Sequence, residues 1–566
     1  MENVQYPSVV VKSIKFKNGQ KIEFNDNDIV LLVGANNVGK SRTLKDLRED
    51  LIDCNGVKVL IGEVEYHTSG FVSEQLEAYF ERNITKDGYG NYNVSVDETN
   101  SHCFDVSSFK YCTDNIRSFY KALFSFLTTE NRLNITRSIS FNSNIYKSCL
   151  NIMKRLEENS EAILLLNDVL RIAFEKSIDV YEYYENDNIV KEYRIGKSED
   201  ITNAINANKR DSQDRLSKEE KLQDQGDGIR SAIAVLASLI VNEHSLFLID
   251  EPESFLHPPQ AKLIGKNIVE LSKNKQCFIA THNIDFIKGV VEADSSRVKI
   301  IKIDRVENEN AFNLINNDSI SVIATDRNLK YTNILDGLFY SQLVLCENES
   351  DCKFYSALLE NLDTVKYQNT LFCAVGGKHH FKKVIPLLKQ LRIQYTVIGD
   401  IDIINNKDDL NQLLDSVENN CYEGIRDRHT EFLDKFVENT NHQVKTQDEI
   451  KRAINGVFTT DQYMPSNAAE KIRQIIKNIS SFKLLKNGGK SALPQGDCVR
   501  LYNEIKSYLN NHNIYFTECG EIERFVPDIG GHGNDWLEKV FEQYKDINDN
   551  AYDEARKFIK FVFDIA

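Results

Sequence analysis

The chain is 566 residues long, 41% hydrophobic and 27% charged, with a net charge of −16 at neutral pH. This length excludes one ordinary core and implies about two to four domains, two large modules being the simplest arrangement. The composition is that of a soluble globular protein. The acid excess excludes nonspecific coating of nucleic acid, so any DNA or RNA contact needs a local basic patch.

The 11 cysteines are scattered without a C-x-x-C pair, which excludes a zinc ribbon or a dithiol redox motif. The longest nearly unbroken apolar run, 232–241, is about half of what a membrane helix requires, and no signal-like stretch opens the chain. A cytoplasmic protein without membrane contact is expected.

Along the chain, the first thirty residues alternate as strands do, in Val9-Val10-Val11-Lys12 and Lys15-Phe16-Lys17. They lead into the wholly apolar Ile29-Val30-Leu31-Leu32-Val33, which reads as a buried central strand. Directly after it, Gly34-Ala35-Asn36-Asn37-Val38-Gly39-Lys40-Ser41 fits G-x-x-x-x-G-K-[ST] without a mismatch. Glycines in this pattern let backbone N–H groups wrap phosphates, Lys40 reaches the β and γ oxygens, and Ser41 ligates Mg²⁺. Asn36, Asn37 and the following Arg42 complete the candidate nucleotide-binding set.

From 107 to 176 the apolar spacing turns helical, through Phe119, Leu123, Phe126 and Leu127 and then Ile152, Leu156, Ile163, Leu164 and Leu165, predicting a helical insertion over about 105–180. The polar stretch 186–221 is expected to be an irregular loop. A parallel βαβ unit follows. Its strand 246–249 ends in Asp250-Glu251, a helix covers about 260–272, and its strand 277–280 runs into Thr281-His282-Asn283. Asp250 is placed to hold a metal, Glu251 to take a proton from the attacking water, and His282 to sense a γ-phosphate.

These motifs together resemble the ABC ATPase family, in which Glu251-Pro252-Glu253 and a histidine at the position of His282 are expected features. Gln225-Gly226-Asp227-Gly228-Ile229-Arg230-Ser231 looks like a divergent signature motif, with Gly228 the candidate that caps the ATP of the opposite protomer. The resemblance implies ATP and Mg²⁺ as cofactors and a homodimer or higher oligomer formed through the ATPase heads. For the Q-loop glutamine, Gln75 is the candidate.

A break at 316–332 precedes a new βαβ series, with strands at 343–345 and 395–398. The expected organisation is an ATPase domain at 1–335 and a second domain at 336–566 carrying its own helical insertion over about 408–510. The first of these strands leads to Glu347 and Asp351, and the second to Asp400-Ile401-Asp402, whose alternation points two carboxylates the same way. Carboxylates gathered at one sheet edge call for cations, and Mg²⁺ or Mn²⁺ prefer such oxygen donors.

Glu347, Asp351, Asp400 and Asp402 in this order resemble the TOPRIM fold of topoisomerases, primases and OLD-family nucleases, and Val375-Gly376-Gly377-Lys378 between them looks like the OLD family. In that family an ABC head precedes a TOPRIM domain in one chain. The fold class implied is α/β throughout: an ABC-type ATPase head with a helical insertion, then a TOPRIM domain with helical additions. By the same resemblance, Gly520-Glu521-Ile522-Glu523 matches the late acidic motif, with Glu523 the better second-metal ligand and Glu521 and Glu518 also candidates. Lys490, in Gly488-Gly489-Lys490, matches the basic residue that stabilises the scissile phosphate, with Lys486 its rival.

The basic run 471–490 holds Lys471, Arg473, Lys477, Lys483, Lys486 and Lys490 with no acid among them, and reads either as a nucleic-acid contact or as a solvated amphipathic helix. What the resemblance implies is an ATP-hydrolysing, Mg²⁺- or Mn²⁺-dependent endonuclease. Its expected substrate is DNA, its expected setting bacterial anti-phage defence of the Gabija or retron kind, and a partner protein or RNA of such a system is implied. The competing expectation is an ATP-switched DNA-binding scaffold with a structural TOPRIM domain. A topoisomerase or primase is disfavoured by the lack of a gate module or zinc segment.

Overall fold

A computed structural model describes residues 6–53, 56–83, 91–97, 100–104, 116–142, 152–186, 188–205, 209–306, 309–327, 329–417, 423–441, 446–458, 467–476 and 481–565. The chain forms two compact units, Met1–Ala324 and Thr325–Ala566. They part ahead of the expected 335/336 boundary because the turn Ile334–Phe339 belongs to the second unit. Ile334, Leu335 and Leu338 are buried there, and Gly337 closes on Ile393.

In the first unit, β1 (Ser8–Phe16) pairs with β2 (Lys21–Glu23) and β4 (Ile61–Ser69) in an antiparallel three-stranded sheet. Helix α1 (Lys40–Ile52) follows β3 (Ile29–Val33). Leu44, Leu47 and Leu51 of α1 share one core with Val9, Val11 and Ile14 of β1 and with Val30 and Leu32 of β3. The second sheet adds β5 (Phe124–Leu127), β6 (Leu246–Asp250), β7 (Gln276–Ala280), β8 (Val298–Val306) and β9 (Glu309–Ile315), in the order β9-β8-β3-β7-β6-β5. All pairings are parallel except β8 with β9. Every residue of β3 and β7 is buried, as expected of strands covered on both faces.

The register aligns Leu32 with Ala280 and Ala280 with Asp250, so β3, β7 and β6 end at one edge. Helix α2 (Asp227–Val241) precedes β6, α3 (Pro258–Leu271) joins β6 to β7, and α4 (Ile284–Asp294) joins β7 to β8.

The insertion departs from the expected helical one. Helices Ile152–Glu157 and Ser160–Phe174 are present, but 124–127 is β5 of the central sheet, and Ile139–Asn142 and Lys176–Glu185 are also strands. The helix-like spacing from Phe119 to Leu127 arises from a 3-10 turn, Ile116–Ala122, running into a buried strand. The segment 186–221 is likewise no irregular loop. Asn188–Lys197 is a strand at the centre of an antiparallel sheet with Ile139–Asn142, Lys176–Glu185 and Glu220–Lys221, and helices Ser198–Ile205 and Lys209–Leu216 follow it.

Lys191, Glu192 and Arg194 of this strand are buried because they are neutralised by charged partners. Lys191 pairs with Glu157 and Glu182, and Glu192 with Arg194 and Lys221. Glu192→Ala leaves two cations without that partner and is expected to destabilise the protein by about 3 kcal/mol, read as a lower urea midpoint. An unchanged midpoint would show that these pairs do not hold the sheet.

The second unit is built on a four-stranded parallel sheet of β10 (Gln342–Cys346), β11 (Thr370–Ala374), β12 (Tyr395–Gly399) and β13 (Ile514–Phe516), in the order β11-β10-β12-β13. Helix α5 (Glu349–Leu362) follows β10, and α6 (Phe381–Gln390) precedes β12. Between β12 and β13 the chain runs through helices Lys407–Val417, Glu423–Thr440, Gln447–Asn455, Ala468–Ile476, Ser481–Gly488 and α7 (Asp497–Asn510). Helices α8 (Gly533–Gln543) and α9 (Asp553–Val562) close one face over a core of Phe354, Tyr355, Phe525, Trp536 and Tyr552. Among the described residues no helix is long and apolar enough to cross a membrane.

Candidate active sites

In the first unit the loop after β3 turns sharply. Gly34 has φ +145 and a Cβ there would meet the Ile303 carbonyl oxygen at 2.3 Å, while Gly39 has φ +103 and a Cβ would meet Leu60 at 2.7 Å. Asn37 between them is also left-handed, with φ +64. Asn36 and Asn37 are exposed at the loop crest. Lys40 is buried, and its Nζ donates to the carbonyls of Gly34 and Ala35 at 2.9 and 2.8 Å, turned into the loop's concavity. Burial lowers its pKa, opposed by Glu251, Asp250 and Glu253. Arg42 turns back along α1 to Asp46, at 2.8 Å.

Because β6 lies one strand from β3, Ser41 Oγ reaches Asp250 Oδ1 at 2.8 Å, which puts the two expected Mg²⁺ ligands side by side. Burial raises the Asp250 pKa, opposed by the Ser41 hydroxyl. Glu251 follows with left-handed φ +48, and His282 at the end of β7 meets its Oε1 at 3.0 Å. That hydrogen bond holds the Glu251 carboxyl below its ordinary value and raises the imidazole. Glu253 is buried and accepts from the Thr281 hydroxyl at 2.6 Å and the His282 N–H at 3.2 Å, fixing the turn that presents His282.

Gly228 is buried in the first turn of α2, where a Cβ would meet the Phe255 carbonyl oxygen at 2.5 Å, so the signature-like segment packs on the turn after Glu253. Gln75 lies in helix Ser73–Asn83 beside Gly70. Arg132, not singled out by any motif, donates to the backbone carbonyls of both Asp250 and Glu251.

In the second unit β10, β12 and β13 also end at one edge, since Cys346 aligns with Ile398 and Gly399 with Phe516. Glu347 follows β10, and its Oε1 accepts from the Asp400 N–H at 3.2 Å. The Gly376 and Gly377 N–H groups donate to the Glu347 carbonyl at 3.0 and 2.9 Å, so the glycine turn after β11 is fixed to the same residue. Asp351 closes a capping box on α5 by accepting from Asn348, and burial pushes its carboxyl up to about 6.

Asp400 is the centre of the cluster. Burial holds its carboxyl well above the usual range, and Glu347, Asp351, Asp402 and Glu521 all push it further. Glu347 is raised by burial and by Asp402.

Cations rim these acids. Lys378 lies 2.9 Å from Asp402 Oδ1, and Lys486 lies 3.2 Å from Asp402 Oδ2 and 2.8 Å from Glu521. Burial works against the Lys486 charge, but the Glu521 and Asp402 carboxylates outweigh it and raise its pKa. Lys490 is directed instead to Glu518, at 3.0 Å, a carboxylate it shares with Lys506. The fold therefore brings Lys486 to the acid cluster, while Lys490 and Glu518 form a separate group. Glu523 accepts from His532 and from the Gly533 N–H at the start of α8.

The basic run divides accordingly between helices Ala468–Ile476 and Ser481–Gly488, with 477–480 outside the described residues. Among the described residues no three His, Cys, Asp or Glu side chains converge closely enough to hold a metal as they stand. The oxygen donor set and its mutual repulsion fit a hard divalent cation, and Lys378 and Lys486 supply that positive charge at Asp402.

Comparison with known proteins matches residues 29–287 to the family described as "AAA domain, putative AbiEii toxin, Type IV TA system" and residues 338–402 to "Overcoming lysogenization defect protein-like, TOPRIM domain". The Old nuclease of Escherichia phage P2 is 21% identical over 345 residues, 56% of this chain, which spans 50% of that relative's length. Among solved structures, an SMC head bound to the C-terminal winged-helix domain of ScpA aligns with 55% of this chain and 98% of its own, at 14% identity and a TM-score of 0.32. The SMC head domain from Thermotoga maritima aligns with 55% of this chain and 100% of its own, at 15% identity and a TM-score of 0.27. The two matches place an AAA-type ATPase domain ahead of an OLD-like TOPRIM domain in one chain.

Proposed function

We propose that this ATPase–TOPRIM chain binds and hydrolyses ATP in its first unit and, with Mg²⁺ or Mn²⁺, cuts nucleic acid in its second, the nucleotide state governing the cut. The substrate we infer is DNA and the setting anti-phage defence. The observation that carries the nuclease is the sheet edge where Glu347 accepts from the Asp400 N–H while Lys378 and Lys486 meet Asp402: carboxylates gathered there draw cations, as oxygen donors for a hard divalent ion would. A scaffold would have no use for such a cluster.

At the nucleotide, Gly34 to Ser41 bind the phosphates, Lys40 faces the β and γ oxygens, and Asp250 with Ser41 would hold Mg²⁺. Glu251 takes the proton of the attacking water, and His282 orients Glu251 beside the γ-phosphate. Gly228 of one protomer closes on the nucleotide of a second, making the working form at least a dimer.

In the second unit Glu347, Asp400 and Asp402 would hold one divalent ion, and Asp351, Glu521 and Glu523 a second. Bound metals supply water activation and neutralisation of the leaving oxygen there. Lys486 takes the role first expected of Lys490, meeting the scissile phosphate from the rim of the acids.

The pair of lysines provides the test. Lys486→Ala is expected to reduce Mn²⁺-dependent plasmid cleavage roughly 100-fold, as loss of a transition-state cation does, while Lys490→Ala changes it little. Equal losses in both, or a loss confined to Lys490→Ala, would contradict the assignment.

A further inference from the structure

Arg132 is wholly buried, and the two terminal nitrogens of its guanidinium go chiefly to backbone carbonyls. One terminal nitrogen donates to Asp250 O and, at 3.4 Å, to Leu127 O, and the other donates to Glu251 O at 3.0 Å and to the Thr129 hydroxyl at 3.3 Å. The two carbonyls it joins belong to the metal-binding acid and the water-activating acid. Burial lowers its pKa to about 10, which leaves it charged at neutral pH, with Glu253, Asp250 and Glu251 favouring that charge.

Glu251 needs such support. Its φ of +48 is left-handed, a conformation that is strained for a non-glycine residue and persists only when its surroundings impose it. Its N–H is held by the Ala280 carbonyl at 2.9 Å, and its own carbonyl by Arg132.

The element that carries Arg132 is itself held at both ends. Helix Thr129–Ile135 is capped by the Thr128 side chain, which accepts from the Asn131 N–H. At its far end Arg230 donates to Leu133 O at 2.7 Å and to the Thr136 hydroxyl at 3.1 Å. Arg230 lies two residues beyond Gly228, so one short helix joins the signature-like segment to the hydrolytic turn.

We propose that Arg132 is a positioning residue for ATP hydrolysis, setting the direction of Asp250 and Glu251 through their carbonyls, with Arg230 fixing the helix from which it acts. This rests on the ATPase reading above. Arg132 touches no phosphate in this role, so its loss should reach turnover and spare affinity.

The experiment uses the full-length protein and compares wild type, Arg132→Lys, Arg230→Gln and the double variant for ATPase kcat and KM and for binding of a fluorescent ATP analogue. Lysine keeps the charge but cannot span two carbonyls. Arg132→Lys should bind the analogue within about 3-fold of wild type while kcat falls roughly 100-fold, the scale of a misplaced catalytic group. Arg230→Gln should lower kcat by a smaller factor, and the double variant should lose no more than Arg132→Lys alone, because both act through one helix.

A wild-type kcat in Arg132→Lys, losses of affinity and kcat in equal measure, or multiplicative losses in the double variant would each overturn the positioning role. Wild-type protein that hydrolyses no ATP would overturn the ATPase reading along with it.

Discussion

Glu251→Gln is expected to bind ATP and to lose hydrolysis by roughly 1,000-fold, whereas Lys40→Ala loses productive binding itself. The difference follows from where each group acts. Lys40 is enclosed by the loop that wraps the phosphates, and Glu251 stands outside it, held by His282. The amide keeps the size of the glutamate but cannot take a proton.

ATP held without turnover should also accumulate the closed dimer, so light scattering of Glu251→Gln with ATP and Mg²⁺ is expected to report twice the protomer mass. The hydrogen bond from His282 keeps the Glu251 carboxyl ionised below its ordinary value, so mild acid should not switch off the base. Normal turnover by purified Glu251→Gln would remove Glu251 as the base. A monomer in every nucleotide state would remove the capping role of Gly228.

Asp400→Asn is expected to abolish metal-dependent cleavage, with ATPase activity retained. A carboxyl whose folded pKa lies above its ordinary value of 3.8 binds a proton more readily folded than unfolded, so its contribution to stability is present at low pH and is lost as pH rises through the folded pKa. At neutral pH without metal the asparagine variant should therefore melt at the same temperature as wild type or higher. Added Mn²⁺ should raise the wild-type melting temperature more than that of the variant, because the wild-type site binds the ion.

A structural acid would behave in the opposite way. Removing an acceptor that a buried donor needs destabilises by about 1 to 3 kcal/mol. A lower melting temperature with cleavage intact would assign Asp400 to the fold.

Much of the geometry of both candidate sites is legible in the sequence because their polar residues sit next to strands. Gly34 to Ser41 follow an apolar run that only a central strand explains, and Asp250, Glu251, His282, Glu347 and Asp400 each stand where such a run stops. Parallel pairing then aligns those stops at one edge in each unit.

What escaped the sequence depends on contacts far apart in the chain. Arg132 is 118 residues from the Asp250 carbonyl it holds, and no local pattern marks it. The short strand Ile514–Phe516 is too brief to show a period, yet its pairing with β12 is what carries Glu521 toward Asp402. The choice of Lys486 over Lys490 turns on the end of helix Ser481–Gly488. There Gly489 takes φ +56 against the Glu518 backbone, and Lys490 leaves in another direction. The strand Asn188–Lys197 reads as a loop in the sequence because its charges look solvated there, whereas in the fold Lys191 and Glu192 are paired inside the protein. His532, at the Glu523 carboxylate, carried no signal beyond the glycines around it.

The most direct test of an ATP-governed nuclease is the rate of plasmid cleavage with Mn²⁺, measured with and without ATP for wild type and for Lys40→Ala in parallel. The account predicts that ATP changes the wild-type rate by roughly 5-fold or more, the scale of an ordinary coupling between sites, and leaves the Lys40→Ala rate unchanged. Equal wild-type rates with and without ATP would contradict the governing role of the nucleotide, and no cleavage under any condition would contradict the nuclease itself.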